Sequence, residues 1–157
     1  MTFDALTALL MIPATAAAIL ALIPQYRITA GLNVLAALLT FATALSLFLV
    51  DPVSGQYLRV DDLNKVFIVL TTFVGFTTSV FSASYIGHEI ETGRLSPPFL
   101  RFYHAMFQAM MGSMNLALVA NNIGLMWVGL ELATLITVVM VGLYRTPQSI
   151  EAAWKYF

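Results

Sequence analysis

The chain has 157 residues, of which 60% are hydrophobic and only 10% are charged, whereas ordinary soluble domains contain roughly 25% charged residues. This composition indicates an integral membrane protein. The formal net charge of -1 provides no basic surface for nucleic acid, and the absence of cysteine excludes disulfides, thiol catalysis and cysteine-ligated zinc or iron-sulfur clusters. With only two histidines, we expect neither a metal site nor a cofactor in this chain.

Five apolar runs follow one another along the chain, each close to the roughly 20 residues that span a bilayer. They cover 5–23, 29–50, 63–85, 102–120 and 123–143. We therefore predict an all-α membrane protein with a single membrane domain, 1–157, that contains five transmembrane helices. The pair Asn121 and Asn122 leaves room only for a tight antiparallel turn between the last two helices.

A sixth helix is predicted to begin at about residue 149, where Ser149 resembles a cap and Glu151 an acidic residue in the first turn. The nine residues from there to Phe157 rise only about 13 Å as helix, less than half of a hydrocarbon core about 30 Å thick. We therefore expect the chain to be a partial sequence.

The first apolar run could be a cleaved signal peptide, because small residues at 14–18 follow an apolar stretch. However, no lysine or arginine precedes Arg27, so the positively charged region that opens a signal peptide is missing. We predict that this run is a retained first helix.

Basic residues predict the orientation in a bacterial or archaeal plasma membrane. The second loop has two of them, Arg59 and the nearby Lys65. The first, third and fifth connections have five: Arg27, Arg94, Arg101, Arg145 and Lys155. By the positive-inside rule the odd-numbered loops are then cytoplasmic and the amino terminus lies outside.

Glu131 is the one charged residue in the apolar run from Ile123 to Leu143. A charge at the centre of a membrane helix costs roughly 2.5 to 3.5 kcal/mol on insertion scales, so such residues usually face protein or water and have a function. Its own helical face offers no basic group; the face contains Gly124, Trp127, Val128, Thr134, Leu135 and Val138. The alternative is a protonated Glu131 that only hydrogen-bonds to a neighbouring helix.

Lys155 is the best candidate counter-charge, because it would lie about 9 Å into the sixth helix while Glu131 lies about 18 Å from the end of the fifth. That offset of about 9 Å suits a water-bridged pair. Burial favours a neutral carboxyl and a nearby ammonium favours the ionised form, so movement of the lysine would load and release a proton. Alternatively, Lys155 extends to the cytoplasmic surface as an anchor.

Other polar residues have weaker claims to a function. His104, beside Arg101 and Tyr103 near the cytoplasmic end of the fourth span, could pass protons inward, or it is an interfacial histidine without that role. His88, Glu89, Glu91 and Arg94 are predicted to form a solvated or subunit-contacting loop. Met106, Met110, Met111 and Met114 form a helical stripe that we interpret as packing, and the hydroxyl-bearing third span, with Gly75, is expected to pack closely on its neighbours.

The segment from Asn121 to Leu135, with Trp127 four residues before Glu131, resembles the fifth helix of antiporter-like subunits of respiratory complex I, membrane-bound hydrogenases and Mrp-type antiporters. The segment 149–157 is similar to the start of that family's sixth helix, and 59–63 to the segment before its third. Residues 82–94 are most similar to the hydrogenase-type branch of this family. That branch includes the F subunit of formate-hydrogenlyase-like hydrogenase complexes.

The resemblance implies proton translocation coupled to electron transfer in neighbouring subunits, with a glutamate on the fifth helix and lysines on later helices. Glu131 and Lys155 match two of these positions, while the family's seventh helix, with its central lysine, has no counterpart before Phe157. Partners would be other membrane subunits of a respiratory or hydrogenase complex, lipid, and protons or Na⁺. The alternatives are a non-transporting scaffold subunit of such a complex and a fragment of an Mrp-type Na⁺/H⁺ antiporter subunit.

Overall fold

The computed structural model describes residues 4–49, 55–93 and 97–157 of the chain. Within these residues it contains six α-helices and one 3-10 turn. The elements are α1 (Ala5–Leu22), α2 (Tyr26–Ser46), α3 (Asp62–Glu91), α4 (Pro97–Val119), α5 (Ile123–Val141), the 3-10 turn Gly142–Tyr144, and α6 (Pro147–Tyr156). The predicted helical class is thus confirmed for the described residues.

Four described helices are long and apolar enough to cross a membrane: α1, α2, most of α3, and α5 with the following turn. α4 is not among them, because His104, Gln108 and Asn115 lower its hydropathy. Of the five predicted membrane spans, four are therefore confirmed as candidate spans by length and hydropathy among the described residues. α4 is instead the central helix of the bundle, in contact with α1, α2, α3 and α5, and its three polar side chains are at most 1% exposed.

Local capping explains where the last helices begin. The side chain of Asn122 accepts hydrogen bonds from the backbone N–H groups of Gly124 (2.9 Å) and Leu125 (3.3 Å), which confirms the predicted tight turn before α5. α6 begins at Pro147 rather than Ser149. Thr146 is its cap, and Ser149 completes a reciprocal capping box from the third helical position.

The end of α3 differs from the prediction. The helix continues past the apolar part of its sequence to Glu91, so His88, Glu89 and Glu91 lie in its last turns and not in a loop. Glu89 is 3% exposed, because it lies on the inner face of the helix. Arg94, the fourth member of the predicted loop, lies outside the described residues.

Packing between α3 and α4 uses the small and flexible residues that the sequence analysis assigned to packing. A Cβ atom built on Gly75 of α3 would lie 2.4 Å from the Cε atom of Met111, so the Met111 side chain occupies the space that a larger residue would need. Met110 contacts α5, where the Thr137 hydroxyl donates to its sulfur at 3.4 Å. Thr72, Ser79 and Ser82 are also buried.

Candidate functional site

Gly129 fixes the direction in which Glu131 points. It is the buried residue of α5, and a Cβ atom there would lie 2.8 Å from the backbone nitrogen of Ala117 and 3.0 Å from the carbonyl oxygen of Ser113 on α4. Two residues along a helix correspond to a rotation of about 200°. The close approach of α5 to α4 at Gly129 therefore places Glu131 on the opposite, exposed side of α5.

The exposed side of α5 is otherwise apolar. Trp127, Val128 and Leu135 are 61%, 47% and 46% exposed, as expected for a surface that faces lipid or another membrane subunit. The Thr134 hydroxyl donates to the carbonyl oxygen of Leu130 at 2.9 Å, so its proton is used within the helix. Glu131 is thus a carboxyl group on an apolar outer surface of this chain.

Lys155 has a partner that the sequence analysis did not consider. Its Nζ atom lies 2.6 Å from the Oε1 atom of Glu151, one turn earlier on α6. Both side chains are mostly exposed, at 75% and 65%, so the pair contributes little to stability. The signal was present in the sequence as a glutamate four residues before a lysine on a helix.

α6 packs against the end of α5 on the side that carries Glu131. Gly142 and Ala153 approach closely, since a Cβ atom on Gly142 would lie 3.8 Å from that of Ala153. A groove of about 220 Å³ at this junction is lined by Val138 of α5 and Trp154 of α6, among others. Val138 lies two turns after Glu131 on the same helical face, or about 10 Å along the axis. Lys155 follows Trp154 directly.

His104 lies inside the bundle, so its side chain is enclosed by protein groups. It is 0% exposed and lies between the rings of Tyr26 and Tyr103, whose centroids are 5.8 Å and 5.3 Å from that of the imidazole. Among the described residues, neither of its ring nitrogens has a hydrogen-bond partner. The structure does not bring it to Glu131, because α5 presents Gly129 to α4 and Glu131 to the outside.

A buried polar set around His104 was missed by the sequence analysis. Gln108, one turn after His104, donates from Nε2 to the carbonyl oxygen of Asn33 (3.0 Å) and to its Oδ1 atom (2.8 Å). Asn115 is also 0% exposed. The signal was a histidine, a glutamine and an asparagine at spacings of four and seven residues, which is one face of a helix.

Comparison with known proteins supports the family resemblance. No family model matches the chain. Over 150 residues, 96% of its length, the chain is 55% identical to the hydrogenase-4 component F homolog of Methylacidiphilum infernorum (isolate V4). This similarity supports the hydrogenase-4 component F branch of the resemblance. The resemblance drawn from residues 82–94 is confirmed. The chain spans about a third (32%) of the length of this component F relative.

Proposed function

We propose that the chain is part of a proton-translocating subunit of a membrane-bound hydrogenase complex, in which partner subunits carry out the electron transfer. The observation that carries the proposal is the position of Glu131, a carboxyl group in the middle of an apolar helix, on the side of α5 that its own bundle leaves exposed. Because such a charge is expensive in lipid, the residue is expected to face water or protein in the complete complex and to exchange a proton there.

Lys155 is proposed as the group that controls the charge state of Glu131. The packing of α6 against the Val138 end of the Glu131 face supports this role, and so does the exposure of Lys155. An ammonium group that exchanges between Glu151 and the vicinity of Glu131 would favour the ionised form of Glu131 when close and the protonated form when distant. The chain itself performs no bond chemistry in this mechanism.

The test is Glu131→Gln in the full-length protein within its membrane complex. Glutamine keeps the size and hydrogen-bonding capacity of the side chain but cannot take up and release a proton. We expect the complex to assemble and transfer electrons while proton uptake into inverted vesicles, followed with a pH-sensitive dye, is abolished or strongly reduced. Repeating the assay with and without Na⁺ identifies the ion.

Asp62→Asn is the matched control, because the Asp62 side chain is 99% exposed at the start of α3 and lies far from the centre of any apolar run. Asparagine also keeps an oxygen that can accept the hydrogen bond from the Lys65 Nζ atom, which lies 3.1 Å from Asp62 Oδ1. This variant should leave proton uptake unchanged. Unchanged uptake in Glu131→Gln, with assembly intact, would contradict the proposal and favour a scaffold subunit that only bridges its neighbours.

A further inference from the structure

A surface groove at one end of the bundle leads to Tyr26. The groove has a volume of about 610 Å³ and is lined by Gln25 just before α2, by Arg27 at the start of α2, and by Gly87 and Glu91 near the end of α3, among others. Tyr26 also lines the groove, and its hydroxyl donates to the carbonyl oxygen of Ala83 on α3. The polar and charged lining makes the groove accessible to water.

Behind Tyr26 lies His104, with its ring against that of Tyr26 at 5.8 Å. Two imidazole nitrogens that are fully buried without a partner are unfavourable, because each polar group has lost its hydrogen bonds to water. Native proteins satisfy nearly all such groups, and bound water does so where protein groups do not. The described part of the chain provides no protein partner for either nitrogen.

The same deficit recurs on α2 opposite Gln108 and further along the inner face of α4. The Asn33 Nδ2 atom and both polar side-chain atoms of Asn115 also lack partners among the described residues. By contrast, the buried hydroxyls nearby are satisfied within their own helices, as for Thr40 with the carbonyl oxygen of Ala36 (2.8 Å) and Ser113 with that of Ala109 (2.8 Å). The deficit is therefore specific to the amide and imidazole groups.

These groups form one column, defined here as His104, Asn33, Gln108 and Asn115. On α4 the column extends from His104 to Asn115, eleven residue steps or about 16 Å along the helix axis, which is about half of a bilayer core about 30 Å thick. Its far end lies near the height of Glu131, because the contact of Gly129 with Ala117 sets Asn115 opposite residues close to 131 in the antiparallel pair α4 and α5.

We propose that this column holds bound water and carries protons from the groove at Tyr26 to the height of Glu131, through the interior of the α1–α4 bundle. Each transfer is balanced, because one ring nitrogen of His104 accepts a proton from water on one side while the other releases its proton to water on the far side. The proposal of bound water depends only on the buried polar atoms that lack hydrogen-bond partners, whereas the proton-carrying role also rests on the proposed function.

X-ray radiolytic labelling of the full-length protein in its complex tests the water site, because hydroxyl radicals form where water is bound. Met111 is the reporter, since it is 5% exposed and lies on the α4 face between Gln108 and Asn115. Leu9 and Leu47, both 0% exposed in an apolar cluster, are dry references. After correction for intrinsic reactivity, Met111 should be labelled several-fold faster than these leucines.

Variants connect the labelling to the column. His104→Leu and Asn115→Leu, at opposite ends, should each lower the labelling of Met111 several-fold, and His104→Leu should lower proton uptake. Ser113→Ala is the matched control, because it removes a buried polar group whose hydrogen bond is made within its own helix, and it should change neither measurement.

Two results overturn the proposal: labelling of Met111 in the unmodified protein as slow as that of the reference leucines, or equal labelling in Asn115→Leu and Ser113→Ala. Unchanged proton uptake in His104→Leu, with Glu131→Gln inactive, overturns the proton-carrying role and leaves the proposed function intact. A silent Glu131→Gln contradicts the proposed function instead, while the labelling of Met111 still decides whether the column holds water.

Discussion

Gly129→Ala should destabilise the protein because α5 touches the backbone of α4 at this residue. The added Cβ atom would lie 2.8 Å from the Ala117 nitrogen, 3.0 Å from the Ser113 oxygen and 3.1 Å from the Ala117 Cα atom. Ordinary contacts of this kind begin at 3.4 Å, so the helices must separate by about 0.6 Å. No side-chain rotation relieves a contact with backbone, and overpacking of this kind costs typically 1–3 kcal/mol.

Two other glycines provide matched controls on the same scale. A Cβ atom on Gly31 of α2 meets nothing within 4 Å, so Gly31→Ala should be neutral or slightly stabilising, because alanine is the better helix former. The Cβ atom added by Gly75→Ala would meet the end of the flexible Met111 side chain, which can move. The loss of unfolding free energy in Gly75→Ala should therefore lie between those in Gly31→Ala and Gly129→Ala.

The assay is denaturant unfolding of the solubilised protein followed by tryptophan fluorescence, since Trp127 lies on α5 itself. We expect the unfolding free energies to decrease in the order Gly31→Ala, Gly75→Ala, Gly129→Ala. Because Glu131 is two residues from the contact, Gly129→Ala should also reduce proton uptake. If Gly129→Ala were as stable as Gly31→Ala, the close helix contact, and with it the argument that orients Glu131 outward, would be refuted.

Three further predictions follow from single contacts. Gln108→Leu should destabilise by about 1–3 kcal/mol because it leaves the Asn33 side chain buried without its donor, and the double variant with Asn33→Leu should cost less than the sum of the single changes in the same unfolding assay. Asn122→Ala removes the cap of α5 and should cost about 1 kcal/mol; full stability in unfolding would show that the cap is dispensable. Lys155→Gln breaks an exposed pair with Glu151 and should change stability by less than about 1 kcal/mol while it lowers proton uptake; loss of stability without loss of uptake would assign Lys155 to structure.

The sequence by itself determined the succession of helices, because a segment that crosses a bilayer must satisfy its backbone within one helix and present about 20 apolar residues. It also identified Glu131, since a charge among apolar residues is visible without any structure. The end of α3 was missed, because polar and charged residues such as His88 and Glu91 are typical of loops, yet the helix continues beyond its apolar part. Ser149 was taken for the cap of α6 because its partner Thr146 lies only three residues earlier.

Only the tertiary structure decided which way each polar residue faces. Asn33 and Gln108 are 75 residues apart, and no local pattern predicts that they meet. The inward position of His104 follows from the packing of α4 against α2, where the ring of Tyr26 lies beside the imidazole. The outward position of Glu131 follows from the close approach of α5 to α4 at Gly129. Whether a side chain is buried depends on which helices pack against it, whereas the hydropathy of a single helix indicates only that the helix forms.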